Sequence, residues 1–318
     1  MMKKLVSLVL ALMLCLSCVS ALAAEAWTVT CPWAPSGVAA MVNQKAASLS
    51  TTYSQDYVLV ANAEKGDTAT INSWLTKYTE ADPQMCFIGE GMFGITAILD
   101  PERMNFTYDD FKYVENLYSS IFVASARKEL GITSIDALKA YLEEGNQIMV
   151  GTNGATGSEA FLAAALIGAM GYGDQFYLIP YESAAEAAQA VARGEVDIAV
   201  SHQSQILETW QQGGVDVFAA FDGEPIAQGP FKGVEGVGQY GYPYFRNRCF
   251  IFAKAGADEQ KIADLKALYA QILTDEEMVD WLNNTMLLEA DMMTEEEVIA
   301  HIDNVKNIVE EYYDLVAE

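Results

Sequence analysis

Apolar positions along residues 25–318 follow two alternating patterns. Short runs rich in Val, Ile, Tyr and Phe predict strands at Trp27–Cys31, Tyr57–Ala61, Met85–Ile88, Ile121–Ser125, Ile148–Val150, Tyr177–Ile179, Asp197–Ser201, Val215–Phe218 and Cys249–Ala253. Helical spacing fills the intervals. Ser134 precedes Ile135, Leu138, Tyr141 and Leu142 on one face, and Gly145 reads as the stop. Ser183 and Glu186 form a capping-box pattern that opens an Ala-rich helix to about Arg193. Asp258 precedes Ile262, Leu265, Leu268, Tyr269 and Ile272. Thr274–Glu277 and Thr294–Glu297 read as further capping boxes, and the last helix runs to about Tyr313 through Val298, Ile302, Val305 and Val309.

This alternation predicts an α/β fold with parallel sheets covered by helices on both faces. Neither an internal repeat nor a low-complexity linker interrupts it, so domain crossings are expected in short loops. One is expected near Phe122, and the return within the glycine- and proline-rich stretch Gly223–Pro243. Residues 25–122 with 225–318 then build one discontinuous domain and residues 123–224 the other. A cleft between two such domains is where small ligands bind. Tyr240, Tyr242, Tyr244 and Phe245, beside Arg246 and Arg248, are read as packing around the hinge, with contact to the cleft as the other reading.

The first 24 residues change the picture of location. Lys3 and Lys4 precede the apolar run Leu5 to Val19, and Ala21-Leu22-Ala23 is an A-x-A cleavage signal. Export is expected, to the periplasm or the exterior, with cleavage after Ala23 or Ala24. A lipid anchor at Cys18 is the alternative route. No later stretch is long and apolar enough for a membrane span.

The whole chain carries a net charge of −26; without Lys3 and Lys4 the mature part carries −28. Such a surface repels nucleic acid and anionic lipid. Three cysteines follow the leader, Cys31, Cys86 and Cys249, an odd count that cannot form a disulfide framework, although one pair remains open. Cys31 and Cys86 lie in apolar strands and are expected as buried thiols. With two histidines in the chain, a multi-histidine zinc site is excluded. His301, among Glu295, Glu296, Glu297 and Asp303, reads as part of a solvated helix face. The pair Asp109-Asp110 reads as solvated surface. No cofactor or metal is expected.

Two loops carry the candidate chemistry. Pro32-Trp33-Ala34-Pro35-Ser36-Gly37 follows the first strand and leads into a helical pattern at Met41, Val42, Lys45 and Leu49. Gly151-Thr152-Asn153-Gly154-Ala155-Thr156-Gly157-Ser158 follows Ile148–Val150 and opens the helix that starts near Glu159. Each places small residues where a strand ends and a helix begins. Free backbone N–H groups and the helix dipole favour an anion there. In the second loop the competing reading is structural: Thr156 and Glu159 form a capping box and the glycines turn the chain. Neither a Walker loop nor a dinucleotide fingerprint is present. The two loops are expected to face each other across the cleft. Glu90 and Glu182 also follow strands and are expected to point into it, which would disfavour a tricarboxylate and favour a ligand that also carries an ammonium group.

In this order and spacing the loops resemble the Bug or TctC-like solute-binding proteins of tripartite tricarboxylate transporters. The family's first-strand loop is matched by Pro32 to Gly37. Its Val-x-Asn stretch is matched loosely by Val60 to Asp67, and its Gly-Ser helix start by Gly154 to Ser158. The tyrosine loop is matched by Ile179-Pro180-Tyr181-Glu182-Ser183, and the Gly-x-Val-Asp strand by Gly194 to Asp197. The chain departs at Ser36, where the family has glycine, at Ala40, near an expected acid, and at Ser183, where the tyrosine loop loses its glycine.

The resemblance implies a two-domain, periplasmic-binding-protein-like fold with a ligand cleft between the domains. It also implies a monomer that passes a small carboxylate to membrane permease subunits. Dicarboxylates and amino acids rank above citrate as ligands. Expected contacts are Trp33, Ala34, Pro35, Ser36, Gly37, Glu90, Thr152, Gly154, Ala155, Thr156, Gly157, Ser158, Tyr181, Glu182, Ser183 and Ser201. A sensing subunit for a signalling receptor would use the same site. A secreted hydrolase built on Ser158, Asp197 and His202 is the third reading, weakened by the absence of a G-x-S-x-G elbow.

Overall fold

The computed structural model describes residues 24–316. Residues 1–23, with the expected leader and Cys18, lie outside the described residues. Along the chain run β1 (Glu25–Cys31), α1 (Val38–Tyr53), β2 (Tyr57–Ala63), α2 (Thr68–Lys77), β3 (Gln84–Gly89), β4 (Phe111–Ser120) and β5 (Phe122–Arg127). Then come α3 (Ile135–Glu143), β6 (Ile148–Asn153), α4 (Ser158–Ala169), β7 (Phe176–Tyr181), α5 (Ala184–Ala192), β8 (Ile198–His202) and α6 (Gln203–Gln211). The chain finishes with β9 (Val215–Ala220), β10 (Asn247–Lys254), α7 (Glu259–Leu273) and α8 (Glu295–Glu311).

The strands form two five-stranded sheets, ordered β2-β1-β3-β10-β4 and β7-β6-β8-β5-β9. Each is the centre of a lobe. The wholly parallel reading is corrected: β10 runs antiparallel to β3 and β4, and β5 runs antiparallel to β8 and β9. A parallel neighbour needs a crossover helix within its own layer. β5 and β10 instead begin as the chain arrives from the other lobe, so they enter from the opposite end. The outward passage is Ile121 alone, between β4 and β5; the return lies between Ala220 and Asn247.

β4 escapes the hydrophobic pattern because polar side chains stand at buried positions. Glu115 accepts from the Tyr113 hydroxyl at 3.1 Å and the Met293 N–H at 3.2 Å, and Asn116 donates to the Asp291 carbonyl at 2.6 Å. Met293 and Asp291 lie far along the chain, so the strand looks amphipathic to neither period.

Caps fix most helix starts where hydroxyls and carboxylates predicted them. Ser134, Ser183 and Asp258 each accept from the backbone N–H three residues on, and Thr294–Glu297 is a full capping box. The expected Thr274 box is displaced. Asp275 caps the short helix Glu276–Asp280, while the Thr274 hydroxyl bonds back to the Ala270 carbonyl at 2.9 Å.

Helix α8 belongs to both lobes. Val298 and Ile302 pack into the aromatic cluster of the first lobe with Phe93, Phe106 and Phe252. Val305 and Val309 complete the second-lobe core beside Phe161, Leu162 and Leu166. The helix crosses the segment Met92–Thr96 at Gly94, where an added Cβ would lie 2.5 Å from Val305 Cγ1. Gly94→Ala is therefore expected to cost about 1–3 kcal/mol by overpacking, read as a lowered midpoint in urea; an unchanged midpoint would refute the close crossing.

Candidate functional site

Both lobes contribute walls to one cavity of about 360 Å³ between the sheets. The expected residues Trp33, Ala34, Gly37, Glu90, Gly154, Ala155, Thr156, Gly157, Ser158, Tyr181, Glu182 and Ser183 line it. Four others do not. Pro35 and Ser36 are exposed at the tip of a turn closed by Gly37 N–H to the Ala34 carbonyl at 2.8 Å. Thr152 is buried in β6 and holds the loop by donating to the Gly154 carbonyl at 2.8 Å. Ser201 is buried in β8.

The turn changes which groups of the first loop can meet a ligand. Gly37 N–H is consumed, so the free donors move to the first turn of α1, where Val38 and Ala39 line the cavity. Helix α1 has no side-chain cap and no acidic residue in its first turn. Helix α4 also lacks a side-chain cap, its N-cap being Gly157. The Thr156–Glu159 capping box does not form: the Thr156 hydroxyl accepts from Arg103 Nη1 at 2.8 Å instead.

Side-chain contacts join the lobes around the cavity, three of them between residues that line it. Arg103 reaches Thr156 and holds Asp67 at 3.2 Å. Lys65 pairs with Glu182 at 2.6 Å, both well exposed, and draws the Glu182 carboxyl below its usual range. Glu182 thus sits at the rim. The third contact is deep: Ser158 Oγ donates to Glu90 Oε1 at 3.1 Å.

Glu90, at the end of β3, is fully buried. It also accepts from Asn247 Nδ2 at 2.9 Å and from the Arg248 N–H at 2.8 Å. Burial pushes its carboxyl up against the pull of these donors. Glu159, on the first turn of α4, is buried too. Loss of water, with the charges of Glu90 and Asp67, raises its carboxyl to about 7, opposed by its own N–H and by Asn153. His202 lines the same floor, and burial lowers its imidazole to about 3. Its Nδ1 meets Ser120 Oγ at 2.8 Å.

Ser158, His202 and Asp197 are not linked as a triad. Ser158 bonds to Glu90, His202 to Ser120, and Asp197 accepts Arg127 through Nε and Nη2 at 2.9 and 2.7 Å. His301 is corrected from a solvated position: it is half-buried beside Phe250, with Nδ1 3.1 Å from Arg248 Nη1. Cys31, Cys86 and Cys249 are free and buried.

Of the hinge-region aromatics, Phe245 packs in the second-lobe core and Tyr240 stacks on Tyr242. Arg246 pairs with Asp222 and Glu289, each at 2.8 Å. Lys65, Arg103, Glu159 and Asn247 were missed as site residues. Glu159 alone carried a signal, one that the capping-box pattern absorbed.

The sequence profile described as tripartite tricarboxylate transporter family receptor matches residues 55–308. Among curated proteins no sequence match is found. Similar solved structures include the R. palustris protein Rpa4515 with adipate, at 15% identity and TM-score 0.80, covering 91% of this chain and 96% of that one. MatC from Rhodopseudomonas palustris with bound malate aligns at 17% identity and TM-score 0.76, over 92% and 98% of the two chains. The periplasmic binding protein BugD aligns at 16% identity and TM-score 0.78, with the same coverage. These similarities share the two-lobed fold.

Proposed function

The chain belongs to the tripartite tricarboxylate transporter receptor family, and from that premise we propose that it captures a small organic carboxylate, a dicarboxylate or an amino acid, for the membrane subunits of such a transporter. Receptors of this family act outside the cytoplasm. The observation that carries the ligand class is the uncapped N-terminus of α1 at a cavity between two lobes. There the first-turn N–H groups and the helix dipole stabilise an anion by about 0.3–1 kcal/mol, and up to about 2 when partly buried. A net charge of −26 does not forbid this, because screening confines bulk repulsion to about 8 Å at physiological salt. The adipate and malate bound by two structurally similar proteins are ligands of the same chemical class.

In this reading the contacts come from Trp33, Ala34, Gly37, Val38 and Ala39 on one side and from Gly154 to Ser158, Tyr181 and Ser183 on the other. The two lobes, joined at Ile121 and by the stretch between Ala220 and Asn247, act as two domains that open and close about these crossings, with Phe245, Val305 and Val309 carried on the second. The mature protein is released after cleavage at Ala23 or Ala24, works as a monomer, and catalyses no reaction.

A panel of dicarboxylates and amino acids, followed by thermal shift, is expected to yield a ligand that stabilises by about 2.7 kcal/mol at a hundredfold excess over its Kd. No shift with any member would sink the proposal. So would stoichiometric labelling of Ser158 by a serine-reactive fluorophosphonate.

A further inference from the structure

Gly91 stands just past β3 of the first lobe, and its backbone is ordinary. With φ −60° and ψ −33° it lies in the right-handed helical region that any residue adopts, and helix propensity alone would favour alanine there. The side chain one turn on leaves room as well, since an added Cβ would stand 3.6 Å from Ile95 Cδ1, an ordinary contact. The second lobe takes that room away. The same Cβ would lie 2.7 Å from Ser158 Oγ and 3.8 Å from Ser158 N. The glycine is fitted to the other lobe.

Ser158 cannot simply turn aside, because its Oγ is donated to Glu90 Oε1 at 3.1 Å. Glu90 in turn is held on its own side by Asn247 Nδ2 at 2.9 Å and the Arg248 N–H at 2.8 Å, where β10 begins. The carboxyl is fully buried, so water neither competes for the bond nor screens it. The contacts at the rim differ in kind. Lys65–Glu182 and Arg103–Asp67 are exposed pairs, which contribute little in water.

We propose that Glu90 and Gly91 are positioning residues that hold the two walls of the cavity at their ligand-holding distance through Ser158. Glu90 pulls the first turn of α4 in, and the bare Cα of Gly91 lets it come close enough to be held. For its ligand arm this rests on the carboxylate-binding reading above; the lobe spacing does not depend on it.

Gly91→Ala tests the close approach and Ser158→Ala the bond, alone and together. Each alone is expected to weaken binding about tenfold, the low end for losing one hydrogen bond to a carboxylate. The factor should be the same for every dicarboxylate or amino acid that binds, because a shifted lobe equilibrium lowers all affinities alike. In the double variant the added methyl meets no Oγ. The two losses should therefore not multiply, and the affinity should match that of Ser158→Ala.

Spin labels on cysteines placed at exposed Val60 and Tyr177, one on each lobe, read the spacing directly, since Cys31, Cys86 and Cys249 are buried. Double electron–electron resonance on the wild type, with and without the ligand panel, is expected to show a short distance in at least one condition. Gly91→Ala should lengthen it, and the double variant should match Ser158→Ala. If Gly91→Ala does not fold, Ser158→Ala carries both readouts. Losses that differ from ligand to ligand would make Ser158 Oγ a direct ligand contact and overturn the proposal. Equal distances in wild type and variants, or a wild type that lacks the short distance, overturn it too. If no ligand binds, the carboxylate reading falls and the distances alone decide this one.

Discussion

Asp197→Ala is expected to lower the stability of the folded chain by about 3 kcal/mol, the low end for breaking a buried ion pair because Arg127 is one-third exposed. Asp197 stands where three strands of the second sheet meet. Its Oδ1 accepts both the Nε and Nη2 of Arg127 at the end of β5, and its Oδ2 accepts the Met149 N–H of β6 at 2.9 Å. Backbone bonds repeat the link, from Arg127 N–H to the Asp197 carbonyl and from Asp197 N–H to the Met149 carbonyl. Removing the carboxylate strands a guanidinium and a backbone N–H at the lip of the sheet. Urea unfolding of the variant should show a lower midpoint at unchanged slope. Asp197→Asn can still accept from Met149 and should fall between. Equal stability of wild type and Asp197→Ala would show that the strands are held by their ladders alone.

A second large effect is expected from the pH dependence of Glu159. Its folded carboxyl lies at about 7, against an ordinary value of 4.5. Between these values the folded state keeps a proton that the unfolded chain has released. Stability is therefore highest below the unfolded value, declines as pH rises through this window, and is lowest above 7. The full difference is about 3 kcal/mol, at 1.36 kcal/mol per unit. Glu90, raised in the same direction by burial, adds to the slope. Glu159→Gln should leave the unliganded protein little changed at pH 4 and more stable than wild type, by up to about 3 kcal/mol, at pH 8. Denaturation midpoints across pH 4–8 decide it. Parallel profiles for wild type and variant would mean that the folded protein solvates this carboxylate.

What the sequence discloses depends on whether an interaction is local. The strands of the parallel cores, such as Met85–Ile88 and Ile148–Val150, are apolar in their own right and were legible. Ser134, Ser183 and Thr294 were legible as caps because their partners are three residues away. Phe111–Ser120 was not, since Glu115 and Asn116 are satisfied by residues 291 and 293.

The site divides in the same way. Its loops and their juxtaposition followed from strand-to-helix transitions. The open N–H groups did not lie at Ser36–Gly37, because the turn from Ala34 consumes Gly37 N–H. Thr156 and Glu159 fit a local capping rule, but Arg103, more than fifty positions upstream, takes the hydroxyl. His301 looked solvated from its acidic neighbours, whereas Arg248 and Phe250 lie on a distant strand.

Helix α8 has a consequence for the order in which the chain becomes a protein. Its first half completes the aromatic interior around Phe93, and its second half completes the interior around Phe161. β10 inserts between β3 and β4, so the first sheet also waits for residues 247–254. A chain emerging N-terminus first therefore cannot finish one lobe and then the other. Contacts of such high sequence separation defer burial until nearly the whole length is free, which slows folding and leaves apolar surface open in the meantime. A chain arrested before Val298 holds two unfinished interiors, and the successive turns of α8 close first one and then the other.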